Sequence, residues 1–383
     1  MQITILHSIT SGAFGGLEIY VTNLIKEHLK NKDYKIHVLL LENSLIHNEL
    51  KELNIHFHFL TAAKKVILKD LFSLITNIKN QQIDIVHSHT NKDLPRVSIA
   101  KVFTSFKHVY SSYMNPVKGK NNAIHRFLYS KVDIFITTSQ ITNDFVKQYY
   151  PIDPKKVKQL HYGRFLDQYI HNQQARDNFR AQIGANADTI VFGTMCRIDR
   201  SKGVKELVEA ISLISQPLKS KIKLVIIGDP TIVGKDAEGK IIYENDALAT
   251  DQWVVAFVAA NNLQETVIKL PFQSAFIQLL DAFDVFVLAS YQEMYSLAVI
   301  DAMLMNKPVI GTNAGGTVEQ VKQNERGLLI EPESAKAIAS AMEMYINNPQ
   351  LIDQHGNNAH IWALNSHSMD KMLEKLDQFY KSA

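Results

Sequence analysis

The sequence predicts an α/β protein of two doubly wound domains, each a mostly parallel sheet covered by helices on both faces. Three observations carry that prediction. The chain has 383 residues, more than one hydrophobic core ordinarily serves. Twelve short runs rich in Val, Ile and Leu alternate with helical patterns. A turn-rich break near the middle separates them into two groups of six.

The first group is Ile3–Ile9, Ile36–Leu41, Ile55–Leu60, Ile83–His87, His108–Ser111 and Ile134–Thr138. Several of these runs are almost continuously apolar, as strands buried on both faces must be. Alternation with helices implies parallel pairing through right-handed crossovers. The break is the turn-rich Tyr150-Pro-Ile-Asp-Pro154, followed by a polar run over Lys155–Lys158. The second group starts near Thr189 and comprises Ile190–Met195, Lys223–Ile227, Val267–Leu270, Val285–Leu288, Val309–Gly311 and Leu328–Ile330. Twelve strands are too many for one ordinary sheet, so domains are expected over 1–165 and 166–383. The last helical stretch, Met369–Tyr380, is a candidate to fold back on the first domain. Between Asp229 and Asn245 lies a polar, Gly-containing segment. It is longer than a usual strand-to-helix connection and is read as a functional or mobile loop.

Composition narrows the function classes. Lys and Arg number 41 against 38 Asp and Glu, a net charge of +3, which gives no call for nucleic acid. Hydrophobic content of 46% with 21% charged residues is that of a soluble globular chain. The single Cys196 excludes an internal disulfide and fits a reducing compartment. The Met1–His7 segment lacks the basic flank and long apolar core of a signal peptide. No run approaches 18 apolar residues. A cytoplasmic location is expected.

Five segments could carry chemistry. Ser8–Glu18, with Gly12, Gly15 and Gly16, precedes a helical run from Ile19, so backbone N–H groups and a helix start could face an anion. A bare Gly-rich turn is an equal reading, since the spacing is not the dinucleotide fingerprint. His87 and His89 alternate at a strand end and would share a face. A metal there needs a further ligand that the neighbouring sequence does not supply, so no metal is expected, and acceptor contact or a structural hydrogen bond fits better. Arg197 and Lys202 bracket the start of the helical run Val204–Ile214 and could cradle a diphosphate without a metal; solvated loop cations are the alternative. In Ser290–Met303, Ser296 reads as an N-cap and Leu297–Met305 as a buried helix. Glu293 would sit in the loop, with backbone N–H groups around Tyr295, Ser296 and Leu297 open to phosphate. Asp301, eight residues later, would be costly in an apolar helix unless ligand hydroxyls or a cation meet it. Gly315 and Gly316 allow close backbone approach or form an ordinary left-handed turn.

The order of these segments resembles glycosyltransferase family 4, whose members have the GT-B fold. The matching pieces are Gly15-Gly16-Leu-Glu18, Asp84-Ile-Val-His87-Ser-His89, Arg197 with Lys202-Gly203, Glu293 through Asp301, and Pro308-Val-Ile-Gly-Thr with Gly315-Gly316. The resemblance implies two Rossmann-like domains facing across a cleft and metal-independent transfer from a nucleoside-diphosphate sugar with retained anomeric configuration. The donor is a co-substrate, and no cofactor is implied. Arg197, Lys202 and Glu293 would be catalytic, the cations on the diphosphate and the acid near the sugar hydroxyls. Gly15, Gly16, Tyr295, Ser296, Leu297, Asp301, Gly315 and Gly316 would bind donor, with Asp301 at the ribose where the family usually has Glu. The family often has a histidine near Tyr113, so Tyr113 or Ser112 would orient substrate, with His89 also on the acceptor side. The family's linker motif is matched only by His161-Tyr-Gly163-Arg. The implied acceptor is a glycan or lipid-linked molecule in surface-polysaccharide or lipopolysaccharide assembly. A non-catalytic sugar-nucleotide-binding subunit of the same fold is the alternative reading. Lys101, Lys107, Lys118, Lys120, Arg126 and Lys131, among Phe103, Phe106 and Phe127, could rest on an anionic surface at the inner face of the cytoplasmic membrane. Ordinary solvated helix faces account for them equally well.

Overall fold

The computed structural model describes residues 2–12, 15–61, 67–113, 118–235, 238, 240–273 and 275–382. It divides into two compact units, Met1–His161 with Met372–Ala383, and Tyr162–Lys371. Each is a doubly wound parallel sheet with helices on its faces. The last helix, Met369–Lys381, therefore has most of its length in the first unit, while residues 162–165 belong to the second.

The first sheet has seven strands: β1 (Ile3–Ser8), β2 (Tyr34–Leu41), β3 (His56–Leu60), β4 (Ile85–Ser88), β5 (Lys107–Ser112), β6 (Ile134–Thr137) and β7 (Val157–Gln159). Their order is β3-β2-β1-β4-β5-β6-β7, and every pairing is parallel. β7 falls in the run read as a polar linker. An edge strand of three residues needs only one apolar anchor, here Val157, and tolerates the exposed Lys158.

In the second unit lie β8 (Ile190–Met195), β9 (Ile222–Ile227), β10 (Ile232–Lys235), β11 (Ile241–Tyr243), β12 (Val267–Leu270), β13 (Val285–Leu288), β14 (Val309–Thr312) and β15 (Gly327–Ile330). Six form a parallel sheet in the order β12-β9-β8-β13-β14-β15. Its core is built from Phe192, Leu224, Val285, Val287, Ile310 and the helix residues Leu207, Ile211 and Met342 that cover them. β10 and β11 make a separate antiparallel hairpin within the expected 229–245 loop. Residues 236, 237 and 239 at its turn lie outside the described residues.

Both sheets have a point where the chain changes direction. β1 is flanked by β2 and β4, and β8 by β9 and β13. Strand order reverses there, and in open α/β sheets such a switch point is where ligands bind, outside the carboxyl ends of the strands. Among the described residues no helix is long and apolar enough to cross a membrane.

Candidate active site

In the second unit the loops after β8 and β13 meet at the switch point. Beyond Met195 the chain passes the exposed Arg197 and makes a short turn over Arg200–Lys202. Asp199 caps that turn, accepting from the Ser201 amide at 3.0 Å. Gly203 follows with φ +65° and opens the helix Val204–Leu213. The Tyr291 amide donates to the Ser201 carbonyl at 2.8 Å. A Cβ on Gly203 would lie 2.1 Å from the Ala289 carbonyl oxygen, so the two loops press backbone on backbone. This contact fixes the base of Lys202, whose Nζ stands 2.5 Å from Glu293 Oε1. Both side chains remain about one-fifth exposed, 18% and 20%. The structure thus brings two of the three expected catalytic residues together as an ion pair. Arg197 stands on the same loop, with no hydrogen bond or ion pair among the described residues.

The loop after β14 braces Glu293 from behind. The Gly316 amide donates to the Glu293 carbonyl at 2.8 Å. Gly315 has φ +55°, and a Cβ there would sit 2.1 Å from that same oxygen. These glycines therefore hold the acid's backbone, and the Gly316 N–H is committed to it instead of facing phosphate. The Ser296 amide is likewise taken, by Gln320 Oε1 at 2.8 Å, while Gln320 Nε2 donates back to the Ser296 carbonyl. Ser296 does cap the helix Leu297–Leu304, its hydroxyl accepting from the Val299 amide. Tyr295 is buried, with its hydroxyl 3.3 Å from His367 Nε2, and Leu297 is half-buried.

Asp301 is 4% exposed, and both carboxylate oxygens are engaged. Arg164 Nε donates to Oδ1 at 2.6 Å and Nη2 to Oδ2 at 3.1 Å. The Tyr169 hydroxyl donates to Oδ1 at 2.5 Å. The cation that an acid in an apolar helix requires is Arg164, from the poorly matched linker motif. Backbone bonds between Arg164 and the 367–369 segment hold it there. Glu293 and Asp301 serve different partners, Lys202 for the first and Arg164 with Tyr169 for the second. Tyr169 and Gln320 were not singled out in the sequence, and Arg164 only as the last residue of that motif.

In the first unit the loop after β1 closes on itself. Glu18 accepts from the Ser11 hydroxyl at 2.7 Å and from the Gly15 amide at 2.9 Å. The anion expected at the start of the helix Gly16–Lys30 is this carboxylate of the chain itself. Gly15 is extended, with φ −147°, and Gly16 is the exposed first residue of the helix. Ala13 and Phe14 of this loop lie outside the described residues. A cavity of about 170 Å³ opens beside the loop, lined among others by Ser11, Glu18, His89, Asn91, Ser111 and Tyr113.

Behind that cavity is a buried set of imidazoles. His7 and His87 are directly opposite on β1 and β4. His87 and His89 share a face, their rings 4.0 Å apart. The ring nitrogens of His7, His87 and His89 lie within 4.8 Å of one another, so His7 is the third imidazole that the neighbouring sequence did not supply. Each is already bonded: His7 to His89 and His28, His87 to Tyr380 and Ser111, and His89 to Tyr113. Burial pushes the pKa values of His7, His87 and His89 well below the usual imidazole range, and that of His28 down to about 4. All four are neutral near pH 7.

Residues 14–167 match the model of Glycosyltransferase Family 4, and residues 175–362 that of Glycosyl transferases group 1. The capsular polysaccharide biosynthesis glycosyltransferase CapM of Staphylococcus aureus is 24% identical, over 93% of this chain and 92% of its own. The UDP-Gal:alpha-D-GlcNAc-diphosphoundecaprenol alpha-1,3-galactosyltransferase of Escherichia coli is also 24% identical, over 92% and 90%. Among solved structures, a glycosyltransferase from Rickettsia africae superposes with a TM-score of 0.84 at 22% identity, covering 99% of this chain and 98% of that one. The Anabaena HepE protein in complex with UDP gives 0.84 at 18% identity, with both chains fully covered.

Proposed function

Because this chain belongs to the family 4 glycosyltransferases, we propose that it moves a sugar from a nucleoside-diphosphate sugar to a glycan or lipid-linked acceptor in surface-polysaccharide or lipopolysaccharide assembly, with retention at the anomeric carbon. The observation that carries this reading is the Lys202–Glu293 pair at the second switch point, with Arg197 exposed on the same loop. A diphosphate entering there is a stronger partner for Lys202 than one carboxylate, and Arg197 adds a planar donor fork. Lys202 then transfers to phosphate, and Glu293 is released to accept from hydroxyls of the donor sugar. As the bond from the anomeric carbon to the phosphate oxygen breaks, negative charge grows on the diphosphate, where the two cations stand. The acceptor oxygen bonds to the same face of that carbon, and its proton passes to the departing phosphate. The resemblances to a capsule glycosyltransferase and to a UDP-bound structure support a sugar nucleotide as donor.

The test is transfer or donor hydrolysis over a panel of nucleoside-diphosphate sugars. Lys202→Ala and Arg197→Ala should each lose on the order of 10²–10³ in turnover, the scale set by removal of one donor from a developing anion. Unchanged turnover in both variants would overturn the assignment.

Membrane contact is proposed on a narrower surface than the sequence offered. Lys101 is paired with Asp133, Lys107 donates to the Phe379 and Tyr380 carbonyls, and Phe106 is buried. Lys120 lies over the Tyr150 ring. What remains is the exposed Phe103 and the helix Ala123–Ser130, exposing Ile124 and Phe127, with Arg126, Lys118 and the Lys131 ammonium over the Phe127 ring. Ile124→Asp with Phe127→Asp should abolish sedimentation with anionic vesicles at low salt. Equal recovery of the unmodified protein on neutral and anionic vesicles would count against contact.

A further inference from the structure

We propose that Gln320 is a positioning residue of the second unit's site: its buried carboxamide clasps the backbone of Ser296 on both sides and so holds the loop that carries Glu293 against Lys202. The inference concerns the second unit alone. It rests on the reading of Lys202 and Glu293 given above and deepens it.

The clasp is complete. Gln320 closes the one-turn helix Thr317–Gln320 after the Gly315-Gly316 turn, and it is 0% exposed. A buried carboxamide needs an acceptor for its N–H group and a donor for its oxygen. Ser296 supplies both. Its amide donates to Oε1 at 2.8 Å, and its carbonyl accepts from Nε2 at 2.8 Å. A peptide N–H can only donate and a carbonyl only accept, so the pairing fixes which end of the carboxamide faces which group. Two bonds to one residue also fix its backbone, extended at φ −77° and ψ 124°, where the loop enters the helix Leu297–Leu304. Three residues back, the Gly316 amide holds the Glu293 carbonyl. The segment 315–320 therefore grips the segment 293–296 at both ends, and the backbone under Glu293 is set before its side chain meets Lys202.

Gln320 is itself held from behind. Arg326 Nε donates to the Gln320 carbonyl at 2.9 Å and Nη2 to the Glu319 carbonyl at 3.1 Å. A cation thus caps the end of the short helix, where carbonyls lack partners. The guanidinium lies over the Trp362 ring, 4.4 Å from its centroid, a contact that a planar cation makes well. The line of support runs from Trp362 through Arg326, Gln320 and Ser296 to Glu293 and Lys202, all within the second unit. The Ser296 N–H is spent on the carboxamide. What Gln320 contributes to transfer is the place of the acid, and not a hydrogen bond to phosphate.

The test compares Gln320→Leu and Gln320→Glu in the full chain. Leucine is close in size and makes neither bond. Its turnover should fall on the order of 10²-fold, the scale of a misplacement of about 1 Å, while affinity for a nucleoside diphosphate, held by the cations, is kept. In its crystal structure Lys202 Nζ and Glu293 Oε1, 2.5 Å apart in the unmodified protein, should stand beyond ion-pair reach. Glutamate keeps the shape and the acceptor, but it has a hydrogen for the Ser296 carbonyl only when protonated. Burial favours the protonated form, so its turnover relative to the unmodified protein should be near normal at mildly acid pH and fall as pH rises. A merely structural role would not move that ratio in folded protein. A folded leucine variant that keeps the short contact, or a glutamate variant whose relative turnover ignores pH, would overturn the proposal. Should the leucine variant not fold, the glutamate variant decides alone. Absence of transfer by the unmodified protein would count against the function proposed above, and the Lys202–Glu293 distance in the variants would still decide the role of Gln320.

Discussion

Lys202 and Glu293 show how two residues of opposite charge can both stand at one candidate site. Paired, neither charge is uncompensated in a partly buried place, and the proposed mechanism starts from a diphosphate taking over Lys202 from the carboxylate. Asp301 illustrates the opposite case, a charge whose partner is permanent. Asp301→Asn would leave Arg164, whose side chain is 15% exposed, without its counter-charge. Breaking a buried pair on one side costs roughly 3–5 kcal/mol, so the variant's thermal unfolding midpoint should fall steeply. An unchanged midpoint, with weakened donor binding instead, would place Asp301 at the ribose. Removing Arg164 as well should cost less than the sum of the two single changes, because the partners are coupled.

At the scale of elements, the site is made by loops that lean on one another at the carboxyl ends of β8, β13 and β14. Gly315→Ala tests that arrangement. The left-handed backbone alone costs about 1–2 kcal/mol for a residue with a Cβ, and the added carbon overlaps the Glu293 carbonyl. Turnover should fall more than tenfold while the far-ultraviolet circular dichroism is kept; a variant with full turnover would show that the Glu293 backbone does not need this brace. Much of this was legible beforehand. Twelve strands, the helix behind Ser296 and the Lys202 turn follow from local patterns of apolar residues, glycines and caps. What escaped depends on distant pairing. Arg164 meets Asp301 across 137 residues, and nothing local marks which cation an acid will find. His7 joins His87 only because the parallel register of β1 and β4 places them opposite. The hairpin β10–β11 was hidden because its apolar residues are exposed, so burial gave it no periodic signature.

For the molecule as a whole, buried neutral histidines set a response to acid. His28 is held at about 4 and His108 at about 3 by burial, with His7, His87 and His89 shifted the same way. A folded-state pKa below the unfolded value means the unfolded chain binds protons first. Stability is therefore full above the unfolded value near 6.5 and is lost as pH falls through that value toward 4. Each such group contributes a slope of about 1.4 kcal/mol per pH unit within its window. These residues all lie in the first unit, so its hydrogen-exchange protection should drop between pH 7.5 and 5 well before that of β8–β15. Equal protection at both pH values would show that these rings gain no proton on unfolding. The return of the last helix to the first unit has a further consequence, for the order in which the protein is made. Tyr380 supplies the hydroxyl on His87, and Asp377 the acceptor for Tyr34, yet both leave the ribosome only after residues 162–371 have done so. The half that is translated first is thus the half that is finished last, and until then its imidazole seam stands open to chaperones and proteases.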